Sequence, residues 1–193
     1  MSGSCRESSA ADGVTLSVGG IGVRFRQAAG DRALAVHESY LPFVPSLPPE
    51  VEVEIRLNGY GLDHPSAIFD SQGTWRLYSS ASHYCLVVSG FAGSPGQVLA
   101  LDKDLRYGQL FCGEAETERA LSPFTLIRHP FAEVLYVNVL AHRKLGALLH
   151  ACAVDAGGRG LAFIGKSGAG KSTTARLWQQ RGDATVLCDD RII

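Results

Sequence analysis

The sequence predicts an α/β protein, α+β overall, in which a β-rich N-terminal region is followed by the start of a phosphate-loop nucleotide-binding domain. Three observations predict it. From Val14 to about Leu121 the apolar residues fall into short runs of strand character. Around Pro130 the spacing turns helical. Near the end, Gly160-Leu-Ala-Phe-Ile-Gly-Lys-Ser-Gly-Ala-Gly-Lys-Ser-Thr-Thr174 reads as a short apolar strand, a glycine-rich turn and a helix start.

Bulk properties narrow the field. The 193 residues suffice for one large or two small domains. A net charge of −1 with scattered Lys and Arg gives no reason to expect nucleic acid or an anionic membrane as partner. Cys5, Cys85, Cys112, Cys152 and Cys188 are far apart and odd in number, without a CxxC pair. This argues against a zinc site or a disulfide framework and for a reducing, cytoplasmic location. The N-terminus lacks an apolar signal core, and no apolar stretch nears the ~20 residues of a membrane span, so no membrane insertion is expected.

In chain order, residues 1–13 are small and polar and read as a disordered tail. Residues 14–128 form the expected β-rich accessory domain. Its clearest strand is Val51-Glu-Val-Glu-Ile-Arg-Leu57, whose strict alternation predicts one wet face. Ile21–Arg26, Leu34–His37, Ala67–Phe69, Trp75–Ser79, Tyr84–Val88 and Gln97–Leu101 are further strands, with a hairpin turn at Asp70–Gly73. The four prolines of Leu41–Pro49 predict an extended loop. Trp75, Tyr78 and Tyr84 read as cross-strand packing rather than a ligand surface. His37, His64 and His83 show no ligand spacing.

Residues 129–146 predict a connecting helix with Phe131, Val134, Leu135 and Ala141 on one face. Residues 147–193 then read as an incomplete nucleotide-binding domain. It begins with a strand over Ala147–Val154, turns at Asp155–Gly158 and returns through Leu161–Ile164. Thr173–Arg181 continues the helix to Gly182, a natural stop, with Leu177 and Trp178 expected in the core.

The chemistry follows from the loop. Gly165, Gly170, Lys171 and Ser172 fit G-x-x-x-x-G-K-[ST]. Glycines let the backbone turn several N–H groups toward one anion, and the helix start adds unpaired donors and a positive dipole end. Lys171 would reach the β/γ-phosphates and the Ser172 hydroxyl would ligate Mg²⁺. Beyond the helix, the run Ala184–Cys188 ends in Asp189-Asp190-Arg191. A carboxylate at a strand end beside such a loop suits a second Mg²⁺ anchor, and its neighbour suits a general base. Both reach one site only if the strand ends or bends there. His150, on the preceding strand, is either a packed histidine or a group approaching the phosphates from the side.

Three pieces in this order, Leu149-His150-Ala151, the loop Gly165–Ser172 and Cys188-Asp189-Asp190-Arg191-Ile192, resemble the catalytic domain of the HPr kinase/phosphorylase family. The likeness is greatest to the looser group of HPr-kinase-related proteins and covers about Leu148 to Ile193. It implies that Gly165, Ser167, Gly168, Ala169, Gly170, Lys171, Ser172 and Thr173 bind ATP or pyrophosphate. It places Mg²⁺ on Ser172, Asp189 and Asp190, and makes Asp189, Asp190 and His150 catalytic. The implied activity is phosphate transfer to a serine of a protein or peptide, and a homo-oligomer is one possible assembly. A transporter-type ATPase carries a similar loop, but its second acid lies far downstream, whereas only 18 positions separate Lys171 from Asp189. Three readings thus stand: a phosphotransferase, a non-catalytic nucleotide-sensing or scaffold protein, and an ATPase. Since the strand bearing Asp189 would keep an exposed edge, a fragment that by itself binds phosphate weakly and catalyses nothing is also expected.

Overall fold

The computed structural model describes residues 13–28, 38–44, 48–56, 66–89, 95–112 and 131–193. The tail before Gly13, the strand expected at Leu34–His37, and His64 lie outside the described residues. The chain is mixed α/β and strand-rich, with two α-helices among the described residues. None of these helices is long and apolar enough to cross a membrane. It divides into two compact units, Met1–His142 and Arg143–Ile193.

The first unit holds strands β1 (Val14–Val18), β2 (Ile21–Gln27), β3 (Val51–Arg56), β4 (Ala67–Asp70), β5 (Trp75–Ser79), β6 (His83–Ser89), β7 (Pro95–Asp102) and β8 (Tyr107–Cys112). They form one eight-stranded sheet in the order β1-β2-β3-β8-β7-β6-β5-β4. β1 with β2, and each consecutive pair from β4 to β8, are antiparallel, but β3 runs parallel to both β2 and β8. One face carries Val23, Phe25, Val53, Ile55, Leu99 and Leu110, all sealed from solvent.

Helix α1 (Phe131–Arg143) supplies Leu135, Tyr136, Val139 and Leu140 to that same core. Residues 129–146 were expected to connect the two halves; the helix instead belongs to the first unit's packing. Its buried stripe is also rotated from the expected one, since Ala141 is exposed. The larger Tyr136 and Leu140 win the buried face because they remove more apolar area from water. The Tyr136 hydroxyl donates to the Leu16 carbonyl oxygen at 3.0 Å, which satisfies its buried polar end.

Three further expectations change. The start of the expected loop, Leu41–Phe43, instead ends a 3-10 helix (Glu38–Phe43) with Pro42 inside, while residues 45–47 lie outside the described residues; proline's fixed φ suits either conformation. Glu54 is only 9% exposed, although alternation put it on a wet face. Arg26 and Arg56 fold over it at 3.3 and 2.6 Å and neutralise it there. Strand β8 has no counterpart among the expected strands because Gly108 interrupts its pattern. A Cβ at 108 would stand 2.7 Å from a Leu101 methyl, so any larger residue would make that leucine shift. Trp75 and Tyr84 pack onto the main core and Tyr78 onto a small second cluster, as cross-strand packing predicts.

The second unit contains β9 (Leu149–Asp155), β10 (Gly160–Ile164), α2 (Lys171–Arg181), β11 (Thr185–Cys188) and β12 (Arg191–Ile192). Strand β9 is central. It forms a hairpin with β10 on one side and pairs with β11 and then β12 on the other, always antiparallel. The hairpin turn is tied by Gly158 N–H donating to Asp155 Oδ1 at 2.8 Å. Alternation along β9 puts His150, Cys152 and Val154 on one face. Cys152, Val154 and Ala175 of α2 make the core there, with Leu161, Phe163, Trp178 and Val186 against it. Leu177, expected inside, is 59% exposed. The small core has room for Trp178, but Leu177 falls about 100° around the helix from it.

Candidate functional site

The glycine-rich loop is shaped by close packing and by left-handed backbone. A Cβ on Gly165 would lie 3.0 Å from the Ala169 Cβ. Gly168 and Gly170 have φ of 80° and 88°, which other residues adopt only with strain. Ala169 N–H closes the turn on the Lys166 carbonyl oxygen at 3.1 Å. Gly170 then caps α2 without any side-chain hydrogen bond, and no acidic residue stands in the first turn. The first N–H to find an intrahelical acceptor is that of Thr174, bonded to the Gly170 carbonyl at 2.9 Å. Those before it are the unsatisfied donors of any helix start, and they carry its positive end.

Lys171 is 8% exposed. Its Nζ donates to the carbonyl oxygens of Gly165 at 2.7 Å and Lys166 at 2.9 Å. An ammonium has three donors, so one remains for an anion in the loop. The buried charge thus stiffens the loop as well as facing the cleft.

On the opposite wall the chain bends where β11 gives way to β12. The register along β9 slips between Val186 and Cys188. Asp190 then accepts from Ala151 N–H through its carbonyl oxygen at 3.0 Å, and Arg191 pairs with His150. The bend breaks the usual alternation, and both Asp189 and Asp190 line the same cleft. His150 Nδ1 lies 2.8 Å from the Asp190 carbonyl oxygen and 3.1 Å from its Oδ1. Arg191 Nη1 donates to Asp190 Oδ2 at 2.8 Å. Asp189 has no hydrogen bond or ion pair among the described residues.

The cleft has a volume of about 440 Å³. Ser167, Gly168, Gly170, Lys171, Ser172 and Thr173 line it from the loop and helix, and His150, Asp189 and Asp190 from the strands. Gly165 and Ala169 shape the loop without lining the cleft. Beneath it, Cys152 is fully buried. Burial first, then the charge of Asp189 and the neighbouring Cys188, push its thiol up from its ordinary value. It is a neutral packing group.

The described residues contain no group of three or more His, Cys, Asp or Glu that could hold a metal on its own. The donors facing the cleft are hard oxygens, the Ser172 hydroxyl and a carboxylate. That set fits Mg²⁺, which retains several waters and takes other ligands from phosphate.

Sequence reasoning gave Arg191 no role. On a regular strand it would point away from Asp190, so only the bend reveals the contact. No protein-family model matches this chain, and neither does any curated protein or solved structure.

Proposed function

We propose that the second unit binds the polyphosphate of Mg²⁺-ATP or of pyrophosphate and serves phosphate transfer to a serine hydroxyl of a protein or peptide, in the manner of the HPr kinase/phosphorylase family that its motifs resemble. The observation that carries this reading is the meeting of unlike groups in one cleft. The donor-rich start of α2, the Lys171 ammonium and two carboxylates face each other there. A cleft with donors on one wall and acids on the other suits an anion and a proton-bearing acceptor together.

In this mechanism the loop N–H groups and the spare Lys171 donor hold and orient the phosphates. Ser172 with Asp189 or Asp190 would hold Mg²⁺, which supplies charge neutralisation at the phosphate oxygens when bound. One carboxylate takes the proton of the acceptor hydroxyl as its oxygen bonds to phosphorus and the bond to the leaving phosphate breaks. His150 stands beside that carboxylate and orients it.

Calorimetric titration of Mg²⁺-ATP and pyrophosphate into the chain and into Lys171→Ala tests the binding step. Binding should weaken by about 10- to 100-fold in the variant, the range of a charge-assisted hydrogen bond. Equal affinity in both proteins would remove the loop from the argument. A nucleotide sensor without turnover is the second reading, favoured by the engagement of the Asp190 carboxylate by the Arg191 guanidinium. A phosphorylated acceptor formed from labelled ATP would exclude it.

A further inference from the structure

The two adjacent carboxylates differ in their surroundings. Asp190 is committed through Oδ2 to Arg191 Nη1 at 2.8 Å, and its Oδ1 lies 3.1 Å from His150 Nδ1. Its main chain is held too, because its carbonyl oxygen accepts from Ala151 N–H at 3.0 Å and lies 2.8 Å from His150 Nδ1. The carbonyl oxygen is an acceptor, so His150 Nδ1 is the donor of that bond. Asp189, one residue earlier, is exposed and has neither a cationic partner nor a hydrogen bond among the described residues.

We infer that the pair is divided in function: Asp189, with Ser172, is the carboxylate available to the cation, and Asp190 is held out of its coordination shell by Arg191 and His150. Arg191 is then a positioning residue. This rests on the polyphosphate-binding reading above and specifies how that site treats its metal. A divalent cation approaching Asp190 would have to displace the charge-assisted bond on Oδ2 and stand beside a guanidinium that repels it. Approach to Asp189 costs neither.

The test is calorimetric titration of pyrophosphate into the full chain with and without Mg²⁺, reading the metal-dependent gain in affinity. Asp189→Asn should lose about tenfold of that gain or more, whereas Asp190→Asn should keep it within about twofold. Arg191→Met frees Asp190 for the cation, so the gain should rise by about threefold or more; Arg191→Lys should restore the wild-type value, as should Asp190→Asn in the Arg191→Met background. A merely structural arginine would lower the gain when removed. Equal losses in the two Asp→Asn variants, or a fall in Arg191→Met, overturn the division. Pyrophosphate binding by the wild type with no metal-dependent gain overturns the division and leaves phosphate binding standing. No binding under either condition overturns both.

Discussion

In the first unit Ile21, Val23, Phe25, Val53 and Leu99 are shut from solvent in one continuous core shared with α1. In the second, only Cys152, Val154 and Ala175 are buried as a cluster, under a single helix. The first is built from large side chains on an eight-stranded sheet. The second spends its sequence on glycines, small residues and polar groups around a cleft. A core of that size removes little apolar area from water, so the second unit has less cohesion per residue. Sites that must admit ligands are drawn from such low-stability regions. The groups that converge on a cleft are thus in the unit that packs least.

The strongest test of this contrast is Phe25→Ala. Removing a fully buried ring from the first core should cost about 3–5 kcal/mol. Hydrogen exchange should then quicken across β1 to β8, while the amides of Cys152 and Val154 keep their protection. Equal loss of protection in both units would mean that they unfold as one, and the contrast would fail.

A smaller effect, centred on the cleft, is expected from Gly170→Val. At φ of 88° a β-branched residue is strained by about 1–3 kcal/mol. The relief is local: the loop opens and the start of α2 loses its aim. Pyrophosphate affinity should fall by about tenfold or more with little change in the first unit's unfolding midpoint. An unchanged affinity would show that the loop does not need its left-handed hinge.

Below that stands Tyr136→Phe. Burial pushes this phenol up well beyond its ordinary range, so it acts only as a neutral donor to Leu16. Losing the bond leaves a carbonyl unpaired and should cost about 1 kcal/mol by urea denaturation, with ligand binding by the second unit unaffected. No loss would mean that water reaches the Leu16 carbonyl.

How much of this was readable beforehand depends on the range of the interaction. The hairpin of β9 and β10, the loop and the stop of α2 at Gly182 follow from glycine placement and apolar runs, which are local. Gly182 takes the left-handed φ of 75° that a helix stop asks of it. The environment of Glu54 was hidden, because it depends on Arg26 of a strand 28 positions away. The rotation of α1 was hidden too, since Val134, Leu135, Tyr136 and Leu140 offer overlapping apolar stripes and only the sheet selects one. The tie between Arg191 and Asp190 needed the register slip at Cys188, which no periodicity announces. What sequence spacing did carry was the order of the pieces: one helix and one strand between Lys171 and Asp189 bring both to one cleft.

The smallest effect separates the two sheets most sharply. Ile164 of β10 and Leu187 of β11 lie on the face of their sheet away from α2 and are 66% and 61% exposed. Ile55 of β3 has the same strand character and is 2% exposed. Strand propensity alone would treat Ile55→Thr and Ile164→Thr alike, since threonine is also β-branched. Burial does not: a hydroxyl under α1 would be desolvated without a partner, and the first unit should lose about 2–4 kcal/mol. At Ile164 or Leu187 the hydroxyl stays in water, and the change should lie within about 0.5 kcal/mol of zero. Denaturant midpoints of Ile55→Thr, Ile164→Thr and Leu187→Thr decide the matter. A loss at Ile164 or Leu187 comparable to that at Ile55 would mean that this face is covered in solution, and the second unit would then have a core on both sides of β9.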